Sequence, residues 1–354
     1  MKNFKIINLL FIVAVFYFSC KKEESNSITK FKFEDFLETK TLAGKKYFFP
    51  EILKPHQVLA KNGKLIISDQ SGIAILHRVD AQSMVYEKEI GRIGWGPGEI
   101  PGVWNIDPGV DEDTFWVYSN TGKLFAAYDL NDTTPKQLYT DVVKQAENWY
   151  LATSLRKVGH KVFIGRMING EDQFVVFDSL GQIKQKIGKW GEVMPKLSYD
   201  PYLIADLHQG DLVGNAKKGI FVLPSIYVDR IEIIDLNQGT KKTVIGPLVY
   251  YPDYKLIKSR GQQEIIPDFN TTILNYNTGF IGEKEIFLAY IGSSREESDG
   301  EVDVKNIFVL DFDGKPLRRF ILDQAVLNIT VDEQQRKIYG TSTDREPGIL
   351  VFEY

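Results

Sequence analysis

The chain has 354 residues, is 43% hydrophobic and 12% aromatic, and carries a net charge of −4 at neutral pH. That length can bury a large core in one or two domains, and the slightly acidic balance gives no reason to expect nucleic acid as a partner. A single cysteine, Cys20, excludes an intrachain disulfide, and no glycine-rich phosphate loop, zinc-type Cys/His cluster or G-x-S-x-G elbow occurs, so no cofactor and no metal site are expected.

The chain opens on Lys2 and Lys5, then runs almost unbroken apolar from Ile6 to Phe18, and reaches Ser19-Cys20 before the polar segment KKEESNS. This is the layout of a secretory signal, and the run is short for a spanning helix. A cysteine directly after a small residue at the end of such a run resembles the bacterial lipoprotein signal. The resemblance implies that Cys20 is lipidated and becomes the first residue of the mature protein. Lys21, Lys22, Glu23 and Glu24 resemble the surface-export tag of Bacteroidota lipoproteins. The expected organisation is therefore a signal over 1–19, a lipid-anchored linker over 20–36, and a folded domain over 37–354. Membrane contact is expected through the lipid anchor alone, on an outer membrane, with the domain surface-exposed or facing the periplasm.

From there the chain repeats. A strand-like segment recurs at KLIISD, TFWVYS, KVFIGR, GIFVLP, EIFLAY and KIYGTS, at intervals of roughly fifty to sixty residues. Each copy is followed by a second apolar segment (GIAILHR, KLFAAYDL, QFVVFD, RIEIID, NIFVLD, GILVFEY) and preceded by a weaker one (HQVLAKN, VWNIDPG, YLATSLRK, DLVGNAK, TTILNYN, VLNITVD). Five copies carry a fourth: MVYEKEIG, PKQLYTDVV, IKQKIGK, KKTVIGP and PLRRFIL. Asp313-Gly314, between two alternating runs, reads as a hairpin turn, because glycine supplies the positive φ that such turns need. The sixth copy lacks its fourth strand where the sequence stops at Tyr354, while Thr39 to Phe49 is strand-like and unassigned. The economical solution lets that N-terminal strand close the last unit and leave few exposed edges. The expected fold is all-β: a six-bladed β-propeller of four antiparallel strands per blade. The blades fall at about 51–91, 103–143, 149–189, 204–246, 270–322 and 325–354 plus 39–49.

After the first blade the sequence reads GRIGWGPGEI. Gly91, Gly94, Gly96, Pro97, Gly98 and Glu99 of this string resemble the signature of the six-bladed propeller lipoproteins of Bacteroidota, related to TolB-like and NHL-like propellers. The resemblance implies a fold and an address, and no particular reaction. Locally, the glycines and Pro97 suit a tight irregular turn, and Glu99 is placed to cap backbone amides in it.

In a propeller, the connections between blades share one face with the loops between second and third strands. Here that set is long: RIGWGPGEIPG, KWGEVMPKLSYDPY, YYPDYKLIKSRGQQEIIPDF and IGSSREESDGEVDVK. Long loops on a rigid scaffold are where binding residues usually sit. The ligand-binding candidates on this face are Arg92, Trp95, Glu99, Arg166, Trp190, Tyr202, Arg230, Tyr254, Arg260 and Arg295. Aromatics with arginines suit sugar stacking, peptide capture or carboxylate clamping. The competing structural reading packs the aromatics between blades and pairs the arginines with nearby acids. His56, His77, His160 and His208 lack metal-ligand spacing. Asp311-Phe312-Asp313-Gly314 is better explained as a turn than as a calcium loop.

The sequence thus favours a non-catalytic ligand- or protein-binding propeller of the cell envelope, its partner a glycan, a peptide or an envelope protein. The alternative is a propeller hydrolase, lyase or lactonase with a metal at the central channel, using oxygen ligands such as Asn105, Asp107, Asp206 and Asn275. No catalytic residue is assigned.

Overall fold

In each repeat the second and third strands are apolar almost throughout, and the structure buries them on both faces. Lys64–Asp69 and Ala74–Asp80 are buried at nearly every position, whereas the fourth strand, Val85–Arg92, alternates exposed and half-buried residues along its outer part. A strand covered on both sides reads as a continuous apolar run, and one at a rim reads as an alternation. A computed structural model describes residues 28–354 except 73, 136, 194–199, 249–250, 260–261, 269, 299–302, 343 and 345. Cys20 and Arg260 lie outside the described residues.

Six four-stranded antiparallel sheets follow the chain as six blades. Blade 1 is built of Pro55–Lys61, Lys64–Asp69, Ala74–Asp80 and Val85–Arg92, and blade 2 of Asn105–Asp107, Thr114–Ser119, Leu124–Asp129 and Asp141–Lys144. Blade 3 is built of Ala152–Gly159, Val162–Met167, Asp172–Asp178 and Ile183–Lys189, and blade 4 of Val213–Asn215, Ile220–Pro224, Arg230–Asp235 and Thr240–Ile245. Blade 5 comprises Leu274–Ile281, Glu285–Ser293, Val304–Asp311 and Pro316–Val326. Blade 6 comprises Ile329–Asp332, Lys337–Ser342 and Gly348–Glu353, with Gly44–Tyr47 as its fourth strand. The N-terminal strand therefore closes the ring as the sequence predicts, with Ile349 opposite Tyr47 and Phe352 opposite Gly44. At the blade 5 hairpin, Gly314 takes φ +83° and Asp311 Oδ1 accepts the amides of Asp313 and Lys315 at 2.9 and 2.8 Å. That carboxylate is committed to its own turn.

The N-terminal segment departs from expectation in two places: Ile28–Lys30, expected as linker, is a strand, and residues 39–42, expected to help close blade 6, join blade 5 instead. Ile28–Lys30 pairs in parallel with the outer strand of blade 4, and Glu38–Leu42 pairs in parallel with that of blade 5. Between them Phe31 and Phe36 are buried against Phe308. Residues 28–36, expected as linker, are part of the folded body. A second correction concerns the blade 4 to blade 5 connection. The stretch read as a long loop contains a hairpin, Tyr254–Ser259 with Gln262–Pro267.

Adjacent blades belong to separate sheets, so their innermost strands share no backbone ladder, and polar side chains join them instead. Gln57 Oε1 accepts the Ile106 amide at 2.9 Å between blades 1 and 2. Asn105 Nδ2 donates to the Leu155 carbonyl at 3.1 Å between blades 2 and 3. Ser154 Oγ accepts the Leu212 amide at 3.2 Å, Asn215 Nδ2 donates to the Gly282 carbonyl at 3.1 Å, and Asn277 Nδ2 donates to the Leu327 carbonyl. Asn328 Oδ1 and Thr330 Oγ1 accept the Val58 and Ala60 amides at 3.3 and 3.1 Å, which completes the circle. Buried backbone groups must find partners. A propeller axis, where strands fan apart, meets that need with short amides and hydroxyls.

Candidate functional site

The long-loop face is filled by its own residues. Helix Pro201–Leu207 begins where Asp200 accepts the Tyr202 amide at 2.9 Å, a capping carboxylate followed by Pro201 in the first turn. Its inner side packs Leu203 and Leu207 on Val228 and Ile265, with Tyr202 and Tyr254 beside them, while Ile204 and Ala205 pack on Trp190 and Val193. Trp190 is fully buried and its indole N–H donates to the Met167 carbonyl at 3.0 Å. Arg166 is 6% exposed and donates through Nη1 to the Ala205 carbonyl at 2.7 Å. Burial holds its pKa down to about 10, against the opposing pull of Asp206.

The structure thus brings Arg166, Trp190, Tyr202 and Tyr254 together as packing around one short helix. Arg230 lies apart, buried in an ion pair with Glu232 at 2.7 Å. Arg92, Trp95 and Arg295 are exposed. Glu99 Oε2 accepts the Gly96 amide at 2.9 Å, and a Cβ on Gly94, at φ +159°, would stand 2.0 Å from that oxygen. The glycine string and the carboxylate make one self-capped turn.

The oxygen ligands considered for a channel metal do not converge. Asn105 holds the blade 2 to blade 3 seam, Asp107 accepts the amides of Gly109 and Lys157 at 2.8 and 2.9 Å, and Asn275 Nδ2 reaches the Ile226 carbonyl. Among the described residues no cluster of three or more His, Cys, Asp or Glu side chains is placed to hold a metal ion. Also among them, no helix is long and apolar enough to cross a membrane.

Among the described residues a cavity lies in the channel, and it faces the other way. A cavity of about 400 Å³ is lined by innermost strands and by the turns that follow them, including Lys61-Asn62-Gly63, Pro108-Gly109, Lys217, Glu283 and Asp332 to Gln335. It therefore opens on the short-turn face. That volume lies within the range of small-molecule sites. Its wall carries Arg156 and Asp211, paired at 2.9 Å, with Thr278 Oγ1 at 3.2 Å from the same carboxylate. Burial lowers the pKa of His56 while Asp211 pulls it back up. Lys61 Nζ donates to the carbonyls of Pro108, Asp111 and Thr114, and burial brings its pKa down to about 8. At the mouth Lys217 of blade 4 pairs with Glu112 of blade 2, and Lys218 pairs with Glu283 at 2.6 Å. These exposed pairs are screened by solvent and contribute little to stability.

Sequence reading missed Arg156 and Asp211. The available signal was polar residues inside the weak first segments, at Gln57, Asn105, Arg156, Asn277 and Asn328. Four of those five residues serve the seams between blades, so the signal marks the axis without marking a ligand.

One titration tests the packing under the long-loop face. Burial pushes Asp229 up to about 6, although the Tyr276 hydroxyl at 2.7 Å and the Leu248 amide at 2.6 Å favour its ionised form. A carboxyl whose folded pKa is raised lends stability that is complete below its unfolded pKa and is lost as pH rises through about 6. His208, held down to about 4 by burial, acts in the opposite sense, and its contribution is lost as pH falls toward that value. Asp229→Asn is therefore expected to lose less stability than the wild type between pH 4.5 and 7.5, read from urea midpoints. Identical pH slopes in the two proteins would remove Asp229 as the source.

A family model described as TolB-like 6-blade propeller-like matches residues 32–334. Among solved structures, a member of the DUF4221 family from Bacteroides vulgatus superposes with a TM-score of 0.56 at 13% identity, covering 88% of this chain and 95% of that one. A protein of Bacteroides fragilis named as a candidate exported protein superposes with a TM-score of 0.53 at 12% identity, covering 92% and 99%. At such identities the likeness is one of fold. No functionally curated protein matches the sequence.

Proposed function

This chain belongs to the TolB-like six-blade propeller-like family, and from that premise we propose that it is a non-catalytic binding propeller of the bacterial cell envelope. The observation that carries this reading is the channel cavity: about 400 Å³, reached from the short-turn face, and walled by the pair of buried Arg156 and half-buried Asp211. Its polar groups are fixed by the same strands that hold the blades together, so the site is formed before a ligand arrives. A preformed site loses little entropy when it is filled. The address rests on the basic start, apolar run and Ser19-Cys20 of the sequence, and the neighbour from Bacteroides fragilis, named as a candidate exported protein, supports it. Lipidation of Cys20 and an outer-membrane location belong to the same reading. Glycan, peptide and envelope-protein partners are its candidate ligands.

Thermal melts of the protein against panels of glycans, peptides and divalent metals test the proposal. Stabilisation by one organic ligand class supports it. A metal bound at one ion per chain, whose removal by chelation lowers the melting temperature, overturns the non-catalytic reading in favour of a metal-dependent enzyme. The address has its own test. Intact mass is expected to show a lipidated Cys20, and Cys20→Ser is expected to free the protein from the membrane fraction. A wild-type chain of unmodified mass would refute the anchor.

A further inference from the structure

One hydrogen-bond donor on the channel wall is left unused by the fold, and from it we infer that the cavity takes an uncharged, hydroxyl-rich molecule of saccharide type. This rests on the reading of the channel as the ligand site. Arg156 lines the cavity and is only 7% exposed. Its Nε donates to the Leu212 carbonyl, and its Nη2 donates to both oxygens of Asp211 at 2.9 and 3.1 Å. Its Nη1 has no partner among the described residues. A buried donor without an acceptor is costly, and a ligand oxygen would satisfy it. Asp211 stands beside it with its side chain 26% exposed, which leaves carboxylate surface free to accept from a ligand hydroxyl.

The pair offers one donor and one acceptor side by side at no net charge. That balance decides the class. Glu112, Glu283, Asp332 and Glu333 line the outer cavity against Lys217 and Lys61, and Lys61 is already committed to three carbonyls. A carboxylate or phosphate entering would meet this acidic excess, and a bare cation reaching the inner wall would meet Arg156. A neutral molecule that both donates and accepts through hydroxyls meets neither penalty. Phe280, on the same lining, supplies apolar surface for a ring face.

The test titrates the full chain with glucose, maltose and N-acetylglucosamine, and with glucuronate and ethylammonium as charged counterparts. Calorimetry reads affinity, and the side-chain ¹⁵N resonances of Arg156 read the site. At least one neutral sugar is expected to bind and to shift the Arg156 resonances. Arg156→Lys, which keeps the charge beside Asp211 but loses the fork, is expected to weaken that sugar tenfold or more. If this variant does not fold, the wild-type resonance shift decides alone. Sugar binding that leaves the Arg156 resonances unmoved overturns the inference. So does glucuronate or ethylammonium binding tenfold tighter than every neutral sugar, although the channel then remains a ligand site. If no saccharide binds but another compound of the wider panels shifts the Arg156 resonances, the saccharide class fails and the channel reading stands. If nothing in those panels perturbs the channel, both fail.

Discussion

Glu232→Ala is expected to destabilise the protein by about 3–5 kcal/mol, because it leaves two buried cations without their shared anion. Glu232 is 2% exposed on the third strand of blade 4, where the next strand brings Lys241 within 3.3 Å and its own strand brings Arg230 within 2.7 Å. Thr243 Oγ1 donates to the same carboxylate at 2.8 Å. Burial alone would raise the Glu232 pKa, but Arg230 and Lys241 outweigh it and hold the carboxyl below its ordinary value. The group is therefore ionised at neutral pH, and its removal strands a guanidinium and an ammonium in the interior. Denaturant midpoints measure the loss. A companion variant separates charge from packing: replacing Arg230, Glu232 and Lys241 together by Met, Leu and Met should cost far less than the single change, since apolar groups of similar volume often replace buried ion networks without penalty. A single variant within 1 kcal/mol of wild type would show that the triad is not the pairing described.

That triad marks a limit of sequence reading. Arg230 was legible as an arginine near a loop and entered the set of ligand candidates, but nothing in RIEIIDLNQGTKKTVIG says that Arg230, Glu232 and Lys241 face one another. Their meeting depends on register, and a one-residue slip would turn Lys241 outward. The strands themselves were legible, because a buried β-strand advertises itself through an apolar run bounded by turn residues. All six second strands lie where their runs place them, from Lys64–Asp69 to Lys337–Ser342. Ile28–Lys30 was not legible, since a short polar segment at a rim carries no periodic signal, and Glu38–Leu42 was legible as strand while the blade it joins was not. Their burial comes from Phe31, Phe36 and Leu42, three apolar residues among charged neighbours.

The site was less legible than the fold for a related reason. Loop length and aromatic content pointed to the long-loop face, which is a sound inference where long loops stand free. Here the loop between blades 3 and 4 folds a helix, the loop between blades 4 and 5 folds a hairpin, and the two pack on each other through Leu203, Leu207 and Ile265. Trp190 and Arg166 look like ligand-binding residues in sequence because the types that anchor ligands also anchor small apolar cores. The short-turn face carries the opening because tight turns cannot cover a channel. A polar residue in an inner strand can serve a seam or a ligand, and its place relative to the cavity tells them apart. Asn105 Nδ2 is committed to Leu155 and the residue lies off the cavity lining, whereas Arg156 lines the cavity and keeps Nη1 unpaired.

Removing the closing strands should have the larger effect of the two. A chain beginning at Phe49 loses Gly44–Tyr47, and with it the whole outer ladder of blade 6, in which four residues pair with Ile349 to Phe352. It also loses Phe31, Phe36 and Leu42, exposed by 4%, 8% and 1%, from the cores of blades 4 and 5. Burying a large apolar side chain contributes about 1.5–3 kcal/mol, so these three alone approach the total stability of an ordinary domain, about 5–15 kcal/mol. The new edge at Gly348–Glu353 would present unpaired amides and carbonyls, a template for pairing with other chains. The truncated chain is therefore expected to elute as oligomers or aggregates and to lose a single cooperative melt, while a chain beginning at Ile28 stays monomeric. Gly44→Val localises the cause within the intact chain. A Cβ at Gly44 would lie 2.5 Å from Phe352 Cε1, so a branched side chain forces the closing strand off its partner. It should reproduce part of the truncation, as a melt lowered by several degrees and faster amide exchange along Gly348–Glu353. A truncated chain that remains monomeric and melts with the wild type would mean that the ring is held by its side-chain seams, with Gly44–Tyr47 an accessory to it.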